Sequence, residues 1–452
     1  MSMGYTVLDK GAIAGHASNA AFGILDYLTY PLGMLIVAPI ALRTLGIAQY
    51  GVWTIATAAV STGSIIASGF GDANIHFVAL SRSSADPSDL VRTVRSTIGI
   101  HLVLGFAMMS ISILLAPSAA GRVAQSDTTL RFECMWSLFF AGLLMLLRAI
   151  ESVCISTQRG FERYGHAVRI SVFGRVLTLA VAAVLPLAGL SVIWVMAATV
   201  LVTIVSLRLQ IVYLKKLLRV TSLWPSFDGG ATRALFGFGI FTWIQAVAGL
   251  LFGQVDRLIA GVSMGAAAVA SYALCVQLPQ PIYGLAVSGL HFLFPYLSAR
   301  RSGDMMTLRR TVLLAFGANL LLVSTGTAVL LIFGGYLLKT LGGTAVAHVG
   351  VPLLPLITWS TALAGLSATG TYALLALGRV RAVTWFNLAG GTLMILLIAV
   401  LLPRFGMYGI AVGRMFYGPV TLLVYIPLVA MLFRNPSASE DTPTSIALWE
   451  KA

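Results

Sequence analysis

Apolar runs of about twenty residues or more, the length that crosses a bilayer as an α-helix, recur along almost the whole chain with short polar turns between them. They are continuous rather than alternating in twos, which is the pattern of helices and not of half-buried strands. Their approximate limits are 18–42, 50–80, 95–116, 134–156, 166–187, 190–214, 234–260, 266–298, 310–333, 351–377, 382–402 and 407–433. The pattern predicts an all-α polytopic membrane protein with about twelve transmembrane helices. One polar stretch, "KKLLRVTSLWPSFDGGATR" from Lys215 to Arg233, divides the runs into two groups of six. The expected organisation is an N-terminal segment 1–17, an N-lobe 18–214, a linker 215–233, a C-lobe 234–433 and a polar tail 434–452.

The two groups echo each other. "LGIAQYGVW" (Leu45–Trp53) follows the first helix and "MGAAAVASY" (Met264–Tyr272) follows the seventh, matching Gly46 with Gly265, Gly51 with Ala270 and Trp53 with Tyr272. "IHFVALSRS" from Ile75 is echoed by "LHFLFPYLSARRS" from Leu290, and each leads into a basic turn. Six spans per unit give both units the same orientation. The expectation is therefore two parallel six-helix lobes around a central cavity, the architecture of transporters whose halves rock about a shared site.

Composition removes several alternatives. The chain is 58% hydrophobic and 10% charged, where soluble domains carry about 25% charged residues, so helices packed in lipid replace a single soluble core. The net charge of +14 is not a nucleic-acid signature, because the basic residues are scattered in short loops without an aromatic-interleaved stripe. They report orientation instead. Roughly nineteen lie in loops on the side of the termini, among them Arg92, Arg159, Lys215, Arg300 and Arg379, against roughly six on the other side, so both termini are expected in the cytoplasm. The N-terminus lacks the pattern of a cleavable signal peptide, and the first apolar run is expected to act as an uncleaved anchor.

Cys134, Cys154 and Cys275 lie in or beside apolar runs with no metal or redox spacing, so no metal and no cofactor is expected. No Gly-rich phosphate loop ends in Lys-Ser/Thr, and no catalytic constellation or long loop of the kind a polymerase needs interrupts the spans. The chain is not expected to be an enzyme.

What stands out is charge inside the spans. Arg148 lies about nine residues into the fourth helix, roughly 14 Å from its cytoplasmic end, too deep for easy snorkelling. A bilayer centre disfavours an arginine by about 2.5–3.5 kcal/mol on the lower insertion scales. Glu151 is three residues on, at the spacing of same-face neighbours; the pair either fixes helix packing or sets Arg148 facing a wet cavity. Arg175 in the fifth helix and Arg414 in the twelfth have no carboxylate at helical spacing, so both are expected to face water or an anion. Arg148, Arg175 and Arg414 together would make a cationic cavity suited to a diphosphate. Asp26, in "GILDYLTYPLG", is either a packing hydrogen bond or a proton- or cation-coupling carboxylate. Asp256 and Arg257, at the far end of the seventh helix, read as a gate or an interfacial pair. Pro31, Pro39, Pro279, Pro281 and Pro295 are expected to interrupt the first and eighth helices.

The same stretches carry a family resemblance. "LGIAQYGVW", "GFGDANIHFVA" (Gly69–Ala79) and "QRGFERYGHAVRISVFGRVL" (Gln158–Leu177) resemble the N-terminal half of the Wzx-type polysaccharide and O-antigen flippases. "DRLIAGVSMGAAAVASYAL" (Asp256–Leu274) and "FLFPYLSARRSGDMMTLRR" (Phe292–Arg310) resemble their seventh and eighth helices. That family belongs to the MOP superfamily with the MATE exporters and the lipid II flippases. The resemblance implies transport of a polyprenyl-diphosphate-linked oligosaccharide across a bacterial inner membrane for polysaccharide biosynthesis. Membrane lipids, a polysaccharide polymerase and export machinery are the implied partners, and no nucleic acid. It also implies a cavity lined by helices one, two, seven and eight, with Asp72, His76 and His291 in family motifs. The alternatives are a MATE-like cation-coupled drug exporter, suggested by Asp26 but opposed by the arginines, and a membrane polymerase or glycosyltransferase.

Overall fold

The computed structural model describes residues 10–82, 87–161, 164–290, 293–298 and 305–433, and within them every regular element is a helix. Eight described stretches are long and apolar enough to cross a membrane. Two of them, Thr29–Ser81 with 53 residues and Val380–Phe433 with 54, would each be about 80 Å long if straight, far beyond a hydrocarbon core of about 30 Å. Each folds back on itself and supplies two spans. The first turns at Gly46 (φ 79°, ψ 167°); Tyr30 before it and Trp53 and Thr57 after it wall one small cavity. The second turns at Gly406, bringing Ile398 against Gly413 and Leu401 against Gly409. With the broken helix over 266–298 and the helix Leu354–Ala376, the protein has twelve spans in two six-helix lobes.

The internal repeat is written in the backbone. Gly46 and Gly265, matched by sequence alone, adopt nearly the same conformation, φ 79° and ψ 167° against φ 89° and ψ 174°. That region is essentially closed to residues with a Cβ. The two hairpins they form meet at one end of the spans, where Gly51 sits so close to the Ala266 carbonyl that a Cβ would collide with it. Between the second and seventh spans, Gly261 packs on Ile55, Gly239 packs on Phe70, and Trp243 donates its indole N–H to the Ile66 carbonyl at 2.8 Å. The second and seventh spans thus run against each other across most of the membrane. The main apolar core straddles this junction, joining Tyr50, Val52 and Ile55 to Tyr272, Leu274 and Val276.

Two boundaries differ from expectation. The sixth span continues as Val192–Leu218 and the seventh begins within Gly229–Leu250, so only 219–228 leaves the helical state. Lys215 and Lys216 lie in the last helical turn, where cations complement the dipole. The short linker docks on the third span: Arg95 donates to the Ser222 carbonyl at 3.1 Å and the Ser226 N–H to the Arg95 carbonyl at 3.2 Å. Pro31 and Pro39 do not interrupt the first span, whose backbone departs from helical only at Gly46. A proline removes one hydrogen bond, and packing on both sides holds the helix through it. The eighth span does break, between Ala266–Gln277 and Gln280–Leu290, beside Pro279 and Pro281. Pro295 lies within the short helix Leu293–Ser298.

Candidate substrate cavity

In the N-lobe, Arg148 and Glu151 form the ion pair that their spacing predicts, at 2.7 Å. The other Glu151 oxygen accepts from the Ser206 hydroxyl at 2.7 Å, tying the fourth span to the sixth. The carboxylate is buried and doubly satisfied, while Arg148 keeps 28% of its side-chain surface exposed. A guanidinium has five donors, so most of the hydrogen-bonding capacity of Arg148 is left for something other than Glu151.

The fields of Arg257, Arg148 and Arg175 all act on the Tyr30 phenol. Of these three arginines only Arg257 lines the cavity that Tyr30 walls; Arg148 and Arg175, expected there with Arg414, act on Tyr30 from outside that lining, and Arg414 does not line it either. The cavity, of about 130 Å³, is walled by Tyr30 together with Trp53 from the second span, Arg257 from the seventh and Gln277 from the eighth. Both lobes contribute, through the four spans that the repeat and the resemblance led one to expect. Arg257 enters this wall with its Nε lacking a hydrogen-bond partner. It is a cavity arginine; its backbone N–H, not its guanidinium, bonds the Asp256 carboxylate, at 2.9 Å.

Arg414 is arranged differently from the expectation of an arginine without a carboxylate. Its guanidinium is fully buried and pairs with Asp256. The helical-spacing test missed this partner because it comes from another span. The Tyr272 hydroxyl donates to the same Asp256 oxygen at 2.6 Å, and Arg414 also donates to the Phe252 carbonyl at 2.8 Å. The rest of the guanidinium, whose Nε and second NH2 lack partners, lies over the Phe252 ring at 4.1 Å, a cation–π contact. Phe252 in turn stacks on Tyr417 at 4.2 Å. Asp256 begins directly after the π-helical turn Leu251–Val255, so a widened turn presents both the Phe252 carbonyl and the carboxylate to Arg414. Asp256 and Arg257 thus point their chemistry in two directions, one into the C-lobe and one into the cavity.

The remaining expected residues are dispersed. Asp72 lies in the first turn of the helix Gly71–Arg82, exposed and within the field of Arg159. His76 is exposed one turn on, edge-to-face with Phe77. Neither lines the cavity. The side chain of Asp26 and all of His291 lie outside the described residues. Asn74, between Asp72 and His76, is fully buried: its amide donates to Ser156 at 2.8 Å and Thr157 at 2.9 Å, and accepts from Thr97 at 3.1 Å. What reading for charge passed over was the uncharged polar wall, Trp53, Gln254, Gln277 and Gln280. Amides inside apolar runs, in "FGQVDR" and "CVQLPQP", were the available signal.

The model of the polysaccharide biosynthesis protein family matches residues 19–300. No curated protein sequence matches the chain. Among solved structures, an inward-facing multidrug-resistance MATE transporter of the MOP superfamily superposes with a TM-score of 0.69 at 15% identity, covering 90% of this chain and 98% of that one. The lipid II flippase MurJ, in an inward closed conformation, gives 0.69 at 12% identity over 89% and 87%. The MATE transporter DinF-BH gives 0.66 at 16% identity over 95% and 98%. The twelve-span, two-lobe fold is thus the one these proteins share, and by the match over more than half its length the chain belongs to the polysaccharide biosynthesis protein family.

Proposed function

We propose that the protein is a flippase that moves a polyprenyl-diphosphate-linked oligosaccharide across the bacterial inner membrane, with both termini in the cytoplasm, by alternating access of its two lobes. The observation that carries the reading is a cavity walled by both lobes with Arg257 in its lining, and with Arg148 and Arg175 within electrostatic reach of Tyr30 in the same wall. A diphosphate carries about two negative charges and takes the bidentate hydrogen bonds of arginine. Cations at this depth are disfavoured until an anion or water meets them. Glu151 holds Arg148 in place between substrates, and the passing headgroup offsets the rest of its burial. Because the cavity walls come from both lobes, tilting one lobe against the other opens it to either face. Arg414, locked to Asp256, is assigned to the integrity of the C-lobe in this conformation. Asp26 is assigned to coupling with an ion gradient, since the reading includes no chemical step and no nucleotide. A cationic drug is disfavoured as substrate by the three arginines.

The test is transport in reconstituted vesicles with a fluorescent polyprenyl-diphosphate-linked sugar. Arg148→Ala and Arg175→Ala are each expected to lower the rate at least tenfold while the protein inserts normally. Arg→Lys at either position is expected to restore part of it, because lysine keeps the charge without the fork. Wild-type rates from both alanine variants would overturn the proposal.

A further inference from the structure

Apart from Arg257, the polar part of the cavity wall is uncharged. It presents the indole of Trp53, the hydroxyls of Thr54 and Thr57, and the amides of Gln254, Gln277 and Gln280. Among the described residues that line it there is no carboxylate. We infer that this wall is a sugar subsite: it takes the saccharide ring attached to the diphosphate, and it selects a ring rich in hydroxyl or acetamido groups over one that carries a positive charge. The inference rests on the flippase reading, because the ring is delivered there by the diphosphate that the arginines hold.

The hydrogen-bonding arithmetic favours a donor-rich ligand. Thr54 donates its hydroxyl to the Tyr50 carbonyl at 3.0 Å, and Thr57 donates to the Trp53 and Thr54 carbonyls at 2.9 and 3.0 Å. Both hydroxyl protons are thus committed to the helix, and what the oxygens still offer is lone pairs. Gln254 Oε1 is buried without a partner. An orphaned buried acceptor is disfavoured by about 1–3 kcal/mol, so a ligand hydroxyl or amide N–H at this position is rewarded. Gln277 accepts from the Tyr50 hydroxyl at 3.5 Å, which leaves its NH2 to donate. Gln280 supplies both a donor and an acceptor. Hydroxyl and acetamido groups, which donate and accept at neighbouring atoms, match this mixture, whereas an ammonium only donates and would sit beside Arg257.

Shape agrees with chemistry. Trp53 is held edge-to-face by Tyr50, with ring centroids 5.6 Å apart, so its indole is pre-positioned and can present an apolar face to the C–H groups of a ring. The cavity, about 130 Å³, is roughly ten times the minimum that admits one water. It has room for a single ring in this conformation, so discrimination falls on the first sugar and not on the rest of the oligosaccharide.

The experiment is equilibrium binding to the full-length protein in lipid nanodiscs with three probes. They are a polyprenyl diphosphate without sugar, the same lipid bearing one N-acetylglucosamine, and the same lipid bearing one glucosamine. Wild type is expected to bind the N-acetylglucosamine lipid at least tenfold tighter than either other probe. Gln254→Leu and Gln280→Leu, which keep side-chain size and remove the amide, are expected to erase that preference by weakening the N-acetylglucosamine lipid at least tenfold more than the sugarless lipid. Trp53→Phe is expected to reduce the preference in part. Equal affinity for all three probes, or variants that weaken the sugarless lipid as much as the sugar-bearing one, would overturn the sugar subsite and leave the flippase reading standing. Wild-type protein that binds none of the lipids would overturn the flippase reading itself. Free N-acetylglucosamine is expected not to compete at the same concentrations, and competition at equal strength would overturn the lipid-linked assignment.

Discussion

Each lobe carries an arginine–carboxylate pair within the membrane, and the two pairs are built for different ends. In the N-lobe, Glu151 is buried and doubly hydrogen-bonded while its partner Arg148 stays 28% exposed. In the C-lobe, Arg414 and Asp256 are both 0% exposed, and the pair is closed in by the Tyr272 hydroxyl, the Phe252 carbonyl and the Phe252 ring. A partly exposed guanidinium retains donors for a ligand. A buried one spends its charge on the pair, because any partner it lost would leave a bare ion in a medium of low dielectric. The depth of an arginine in a span is therefore not enough to assign its role; what matters is how many of its neighbours are already committed.

The comparison breaks most sharply under Asp256→Ala. Removing one member of a wholly buried pair leaves Arg414 uncompensated, and the expected loss is about 3–5 kcal/mol of stability, read as a large fall in the thermal midpoint of the detergent-solubilised protein. Replacing both members with apolar residues, Asp256→Leu with Arg414→Leu, is expected to recover most of that loss. A double variant as unstable as the single one would mean that the pair does more than neutralise itself.

Accessibility gives the next contrast. In a background with Cys134, Cys154 and Cys275 replaced, Arg148→Cys is expected to react with a small hydrophilic thiol reagent at least tenfold faster than Arg414→Cys. Equal protection of the two positions would remove the distinction between a partly exposed arginine and a structural one.

The smallest effect belongs to Glu151→Gln. The amide keeps one acceptor oxygen for Arg148, its NH2 can donate to the Ser206 hydroxyl oxygen, and Arg148 is already partly exposed, so a loss of about 1 kcal/mol is expected, again from the thermal midpoint. A fall as large as that of Asp256→Ala would show that the N-lobe pair is as structural as its counterpart.

The sequence alone determined how many times the chain crosses the membrane, because lipid demands long apolar helices with their backbone groups satisfied internally. It also determined the repeat, down to Gly46 and Gly265, since a conformation open only to glycine leaves its mark on residue identity. The Arg148–Glu151 pair was legible because both residues share one helix and the spacing of a helix is fixed. The tertiary structure decided everything that depends on which helix lies beside which. It paired Arg414 with Asp256 across 158 positions, brought Arg257 rather than Arg414 into the cavity wall with Tyr30, and assembled the wall of glutamines, threonines and Trp53 from spans far apart in the chain. Helical periodicity orders residues along one axis. Contacts between axes are set by the packing of twelve of them at once, and no spacing along a single span encodes that arrangement.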